Sequence, residues 1–129
     1  MKLLHRLGVL MGMAAATGAG AEQAAAPKND HAVVVHFAYG SKDLTKLFAL
    51  EDELEKAMLS AGAGELDGNE VNVDGSDGYL FMYGPHADRL FAVIKPILDK
   101  TPFMRGAQAQ LRFGPPQSGA QEKTIVINP

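Results

Sequence analysis

The sequence contains no cysteine. That excludes disulfides, thiolate metal centres, a nucleophilic thiol and a lipid-modified N-terminal cysteine. It also lacks a membrane-spanning run, because the apolar stretch from Leu7 to Ala16 falls well short of the roughly 20 residues a bilayer requires. Glycine and proline, at 14 and 7, are too few for a collagen-like or low-complexity chain. Cations are scarce where acids are dense: between residues 51 and 77 Lys56 is the only one, and most of the fifteen acids lie there. Such a region repels a phosphate backbone, so nucleic acid is not an expected partner. What the chain does have is 129 residues with a 47% apolar fraction, enough for one buried core and not for two.

The start of the chain reads as an address. Lys2, His5 and Arg6 form a basic opening, Leu7 to Ala16 an apolar core, and Ala19-Gly20-Ala21 an A-x-A exit. Together these predict a signal peptide over 1–21, cleaved after Ala21, and a periplasmic or secreted domain with no membrane insertion. Removing it takes away two cations and no acid, so the mature chain is more acidic than the formal −3 of the whole sequence. Residues 22–30 show no period and read as a flexible lead-in to a single domain over 31–129.

Within that domain His31 to Tyr39 is rich in β-branched and aromatic residues and predicts a strand. Leu44, Leu47, Phe48, Leu54, Ala57, Met58 and Ala61 then recur at helical spacing until Gly62 stops the helix. Glu70–Val73 and Tyr79–Tyr83 predict two short strands joined by an Asp/Gly turn. A second helix is expected over His86–Lys100, kinked at Pro96, followed by strands over Ala107–Phe113 and Thr124–Asn128. The order is βαββαβ plus one strand. Phe37-Ala38-Tyr39-Gly40 and Phe81-Met82-Tyr83-Gly84 share F-x-Y-G before a helix, which suits two βαβ halves of a ferredoxin-like α+β sandwich.

Strand alternation assigns faces. Odd positions, including Val33, Val35, Phe37, Val71, Val73, Tyr79, Phe81, Tyr83 and Leu111, are expected to face the helices. Even positions then leave an open face with an apolar middle of Val34, Leu80 and Met82, His36 within it, and a rim of Glu70, Gln110 and Arg112. Exposed apolar faces of this kind bind a ligand, a partner or a second copy of the same chain.

Catalytic signals are weak. His31 and His36 point to opposite faces and His86 lies elsewhere, so three zinc ligands do not converge. The stretch Gly64 to Gly78 is dense in oxygen ligands, but Val71 and Gly78 fall where the EF-hand spacing needs them. Gly62-Ala-Gly64 precedes a strand and not a helix, which fails the dinucleotide fingerprint. Ser41, Ser60, Ser76 and Ser118 each read as cap or loop residues, so nucleophilic catalysis has no candidate, and no cofactor is expected.

Leu50-Glu-Asp-Glu-Leu54, Gly64-Glu-Leu-Asp-Gly-Asn-Glu-Val71, Asp77 to Pro85, Ala87-Asp88 and Leu111-Arg-Phe-Gly-Pro115 resemble a widespread group of small bacterial ferredoxin-like domains with no assigned reaction. Their shared pattern is D-G-N-E-[VI], Y-G-P-x-A-D and R-[FY]-G-P, and His86 departs from the acid usual at that position. The resemblance implies a fold and a shared motif set of Asp67, Glu70, Tyr83 and Arg112. The expected function is an exported, non-catalytic binding module that uses the open sheet face. The alternatives are a small enzyme or calcium-dependent protein using the acidic loop 65–77, and an inhibitor or immunity-type protein for a basic partner.

Overall fold

The computed structural model describes residues 2–4 and 28–129. Apart from Lys2–Leu4, the leader expected over 1–21 lies outside the described residues, and of the lead-in only 28–30 are described, without regular structure. The elements are β1 (Lys2–Leu4), β2 (His31–Ala38), α1 (Thr45–Ala61), β3 (Glu65–Val71), β4 (Asp77–Gly84), α2 (Ala87–Asp99), β5 (Gln108–Arg112) and β6 (Glu122–Val126). A short 3₁₀ turn, Pro102–Met104, follows α2. Five strands from residues 31–126 make an antiparallel sheet in the order β3-β4-β2-β5-β6, and β1 adds to its β3 edge. Both helices pack on one face.

The helices form where apolar spacing lets them cover that face. In α1 Leu47, Leu50, Leu54 and Met58 are buried. Gly62, at φ 61°, ends the helix: its amide donates to Leu59 and that of Ala63 to Met58, satisfying two terminal carbonyls. Arg89 of α2 donates to the carbonyls of Ala61 and Gly62 at 2.5 and 3.2 Å, placing a cation at the negative end of α1. In α2 Leu90, Phe91, Ile94, Ile97 and Leu98 are buried, and the helix continues through Pro96 to Asp99. These side chains close over Val33, Val35, Phe37, Ala109 and Leu111, the odd positions of β2 and β5, as alternation predicts.

The N-terminus of α2 is held from another strand. His86, its N-cap, offers no side-chain bond, and the amide of Ala87 instead donates to His31 Nδ1 at 3.0 Å. That accepting nitrogen has to be deprotonated. His31→Ala is expected to lower stability by about 1 kcal/mol, the usual value of a lost cap, measured as a shift in urea midpoint without loss of helical signal.

Two sequence expectations are corrected. First, β3 runs over Glu65–Val71 and not Glu70–Val73, so the whole D-G-N-E segment lies within the strand. A bulge between Leu66 and Gly68 absorbs one residue, with Gly68 at φ 141°, and this disguises the alternation that marks a strand. Val73 therefore lies in the following turn, 86% exposed, and not on the helix-covered face. Second, β4 runs in the opposite phase. Val33 pairs with Met82, Val35 with Leu80 and Phe37 with Gly78, so the even residues of β4 join the odd residues of β2. Leu80 and Met82 are fully buried under the helices, while Tyr79, Phe81 and Tyr83 face outward. Tyr-Leu-Phe-Met-Tyr is apolar at every position, so alternation alone carries no phase. The hairpin register decides it.

Candidate functional site

The sheet register arranges the open face in three rows across the strands. One is Glu65, Tyr83, Ala32, Arg112 and Glu122. The second is Gly68, Phe81, Val34, Gln110 and Thr124. The third is Glu70, Tyr79, His36, Gln108 and Val126. The middle of each row is aromatic or apolar; Glu65, Glu122, Thr124 and Glu70 stand at polar ends, while Gly68 and the exposed Val126 take the other two ends. Leu80 and Met82, expected at the centre of this face, lie in the core, and Tyr79, Phe81 and Tyr83 stand on the face beside Val34. Ala32 is fully buried within its row, whereas Tyr79 is 40% exposed.

The rings along the centre support one another. His36 stacks on Tyr79 with ring centroids 4.5 Å apart and planes 16° from parallel, and Tyr79 and Phe81 lie at 6.1 Å and 22°. His36 Nε2 donates to Asp77 at 2.7 Å, which fixes the imidazole from the end of the adjoining strand. Asp77 also accepts from the Asn72 amide and from the Ser76 hydroxyl. Beside these rings Val34, His36, Tyr79, Gln108, Gln110 and Thr124 line a shallow depression of about 180 Å³. Gln110 donates to Glu122 at 2.7 Å on its outer side.

The bond from His36, then that from Asn72, holds the Asp77 carboxyl below its ordinary value of 3.8. Bonds within their own turns lower Asp43 and Asp74 in the same direction. A carboxyl depressed in the folded state stabilises the fold fully above the unfolded pKa, and that contribution is lost as pH falls through the depressed value. Stability is therefore expected to hold down to about pH 4 and to decline below it, and Asp77→Asn to flatten the decline. Urea titrations at stepped pH measure both.

At the other end of the face, three residues of the motif set come together. Tyr83 and Arg112 flank Ala32 from its two sides, and Asp67 occupies the bulge of β3. Burial pushes the Tyr83 hydroxyl up, the Asp67 charge adds to this, and Arg112 opposes it. Arg112 itself is anchored by backbone, donating from Nε to Gly114 at 2.7 Å and from Nη2 to Asp30 at 3.1 Å. Glu70 lies apart from them, in the row of Tyr79.

On the helix side, a buried polar pair escaped the sequence reading. Glu51 of α1 is 1% exposed and Asn69 of β3 fully buried, and the Asn69 amide donates to Glu51 Oε2 at 2.9 Å. The spacing of Leu47, Glu51, Leu54 and Met58 places Glu51 on the buried stripe, which was the available signal. The bulge is what turns both Leu66 and Asn69 inward.

Among the described histidines, His31 and His86, expected on different edges, come into edge-to-face contact, while His36 stands apart. His36 lies on the open face and His31 caps α2, with its ring 6.0 Å from that of His86. No group of three or more histidine or carboxylate side chains is placed to hold a metal among the described residues. In the acidic loop Asp74 accepts from the Ser76 amide at 2.9 Å and Asp77 is engaged as above. No described helix is long and apolar enough to cross a membrane.

These elements define an α+β domain with a five-stranded antiparallel sheet, two helices on one face and an aromatic open face. Compared with models of protein families, with curated proteins and with solved structures, the chain matches none.

Proposed function

We propose that the chain is an exported, non-catalytic binding module that uses the open face of its sheet. The observation that carries this reading is the outward row of Tyr79, Phe81 and Tyr83 beside Val34 and His36, bounded by Glu70, Gln110 and Arg112. An apolar centre with a polar rim is the usual anatomy of a contact surface. Tyrosine and phenylalanine supply large contact area at little cost in side-chain entropy.

A ferredoxin-like arrangement is supported by the order β3-β4-β2-β5 with both helices on one side, which is that of a split βαβ unit. Membership in the bacterial group rests on the D-G-N-E, Y-G-P and R-F-G-P stretches of the sequence alone. Export rests on the basic, apolar and small-residue order of residues 1–21. Cleavage after Ala21 would remove β1, an edge strand of three residues, and leave the five strands of 31–126 intact.

The occupant to test first is a second copy of the chain, since a two-fold contact needs only one self-complementary face. Light scattering across a concentration series should give a dimer mass for the wild type and a monomer mass for Phe81→Arg. A wild type that stays monomeric removes the self-association form. A dimer that Phe81→Arg leaves intact places the contact elsewhere.

A further inference from the structure

A second cavity lies away from the open face, on the helix-bearing side at the end of β2. It is an open cleft of about 730 Å³ between one face of α1, the loop after β2 and the segment after α2. Its volume is within the range of small-molecule sites. Tyr39 and Phe103 form an aromatic corner, with centroids 5.0 Å apart and planes at 90°, and Leu50, Ala49 and Pro102 continue the apolar wall. Ala49 keeps the helix side of the cleft low, because a larger residue there would fill it.

Four charged side chains line the cleft: Asp43, Lys46, Glu53 and Lys100. Three of them are engaged. Lys100 donates to Glu53 at 2.6 Å, which ties the segment after α2 to α1 and neutralises both charges. Asp43 accepts from the Thr45 amide at 3.0 Å and from its hydroxyl at 2.7 Å. Lys46 has no ion-pair or hydrogen-bond partner among the described residues. The charge of Lys46 acts on the Asp43 carboxylate one turn before it, so the four lining charges balance, but its ammonium donates to no described side chain. The lining thus offers an apolar, partly aromatic body and one ammonium at its edge with hydrogen-bond donors to give.

We infer that this cleft binds a small monoanion with an aromatic body, of the arylalkanoate class: the ring lies against Tyr39, Leu50 and Phe103, and the carboxylate meets the Lys46 ammonium. This site is separate from the open sheet face and does not depend on what that face binds. A neutral ring of the same shape lacks the charge-assisted bond, and a second anionic group would meet Glu53 or Asp43. The site therefore selects on charge as well as on shape.

Phenylacetate and its neutral counterpart phenylacetamide, titrated separately into the full chain and followed by calorimetry or NMR, test this directly. Phenylacetate is expected to bind saturably and phenylacetamide about tenfold more weakly, and Lys46→Gln should erase the difference between them. Ala49→Trp, on the exposed side of α1, should block both. Lys46 is exposed, so Lys46→Gln should keep the wild-type melting temperature and any loss of binding is not a loss of fold. Absence of saturable phenylacetate binding overturns the inference. So does equal binding of acid and amide, or a phenylacetate affinity that Lys46→Gln leaves unchanged.

Discussion

Met82→Arg should leave no folded protein, whereas Phe81→Arg, one residue earlier, should fold. Met82 is fully buried beneath the helices and opposite Val33. An arginine there would carry an unpaired charge into the core, at a cost of about 5 kcal/mol or more, comparable to the whole stability of a small domain. Phe81 stands half-buried on the open face, where a guanidinium keeps its water and the loss includes the ring contact with Tyr79, about 1 kcal/mol. Circular dichroism with thermal melts of both variants checks the contrast. If Met82→Arg folded and Phe81→Arg did not, the phase of β4 would be the reverse of the one described.

Glu51→Ala carries the second large effect. Truncation opens a cavity under α1 and leaves the buried Asn69 amide without its acceptor, for a combined loss of about 3 kcal/mol. Glu51→Gln keeps both shape and an acceptor and should lose much less. If Glu51 and Asn69 act together, a double-mutant cycle with Asn69→Ala should return a coupling of about 1 kcal/mol. Additive losses would mean that each residue is held by other contacts.

The helices were legible because their stripes alternate with charge. The Leu47, Leu54 and Met58 positions of α1 and the Leu90, Ile94, Ile97 and Leu98 positions of α2 are buried as their spacing requires, while Val93, expected on the same stripe, is half-buried. Phe48 was not, at 37% exposed, because Leu50 and Glu51 take the inward arc that it would share. The face of β5 was legible for the same reason, since Gln108, Gln110 and Arg112 alternate with Ala109 and Leu111, whereas in β2 His36 is the one polar residue inside the strand and the larger side chains Val33, Val35 and Phe37 marked the inward phase. β3 and β4 were harder for two different physical causes. A bulge breaks the period of β3, and β4 has no polar residue between Tyr79 and Tyr83 to mark its phase.

The candidate site inherits that division. Val34, His36, Gln110 and Arg112 stand on the open face where alternation put them, and Glu70 shares the row of Tyr79. Leu80 and Met82 belong to the core. The motif residues Asp67, Tyr83 and Arg112 are neighbours, which spacing in sequence could not reveal because they come from three strands. The Glu51–Asn69 pair required the bulge to be known first.

Oxidative footprinting of the full chain at increasing protein concentration reads the open face directly. Tyr79 at 40% exposed and Phe48 on α1 at 37% start from similar accessibility, so one serves as the control for the other. The account predicts that Tyr79 and Phe81 become protected as concentration rises while Phe48 stays reactive. Protection of Phe48 with Tyr79 and Phe81 still reactive would contradict it and move the contact surface to the helices.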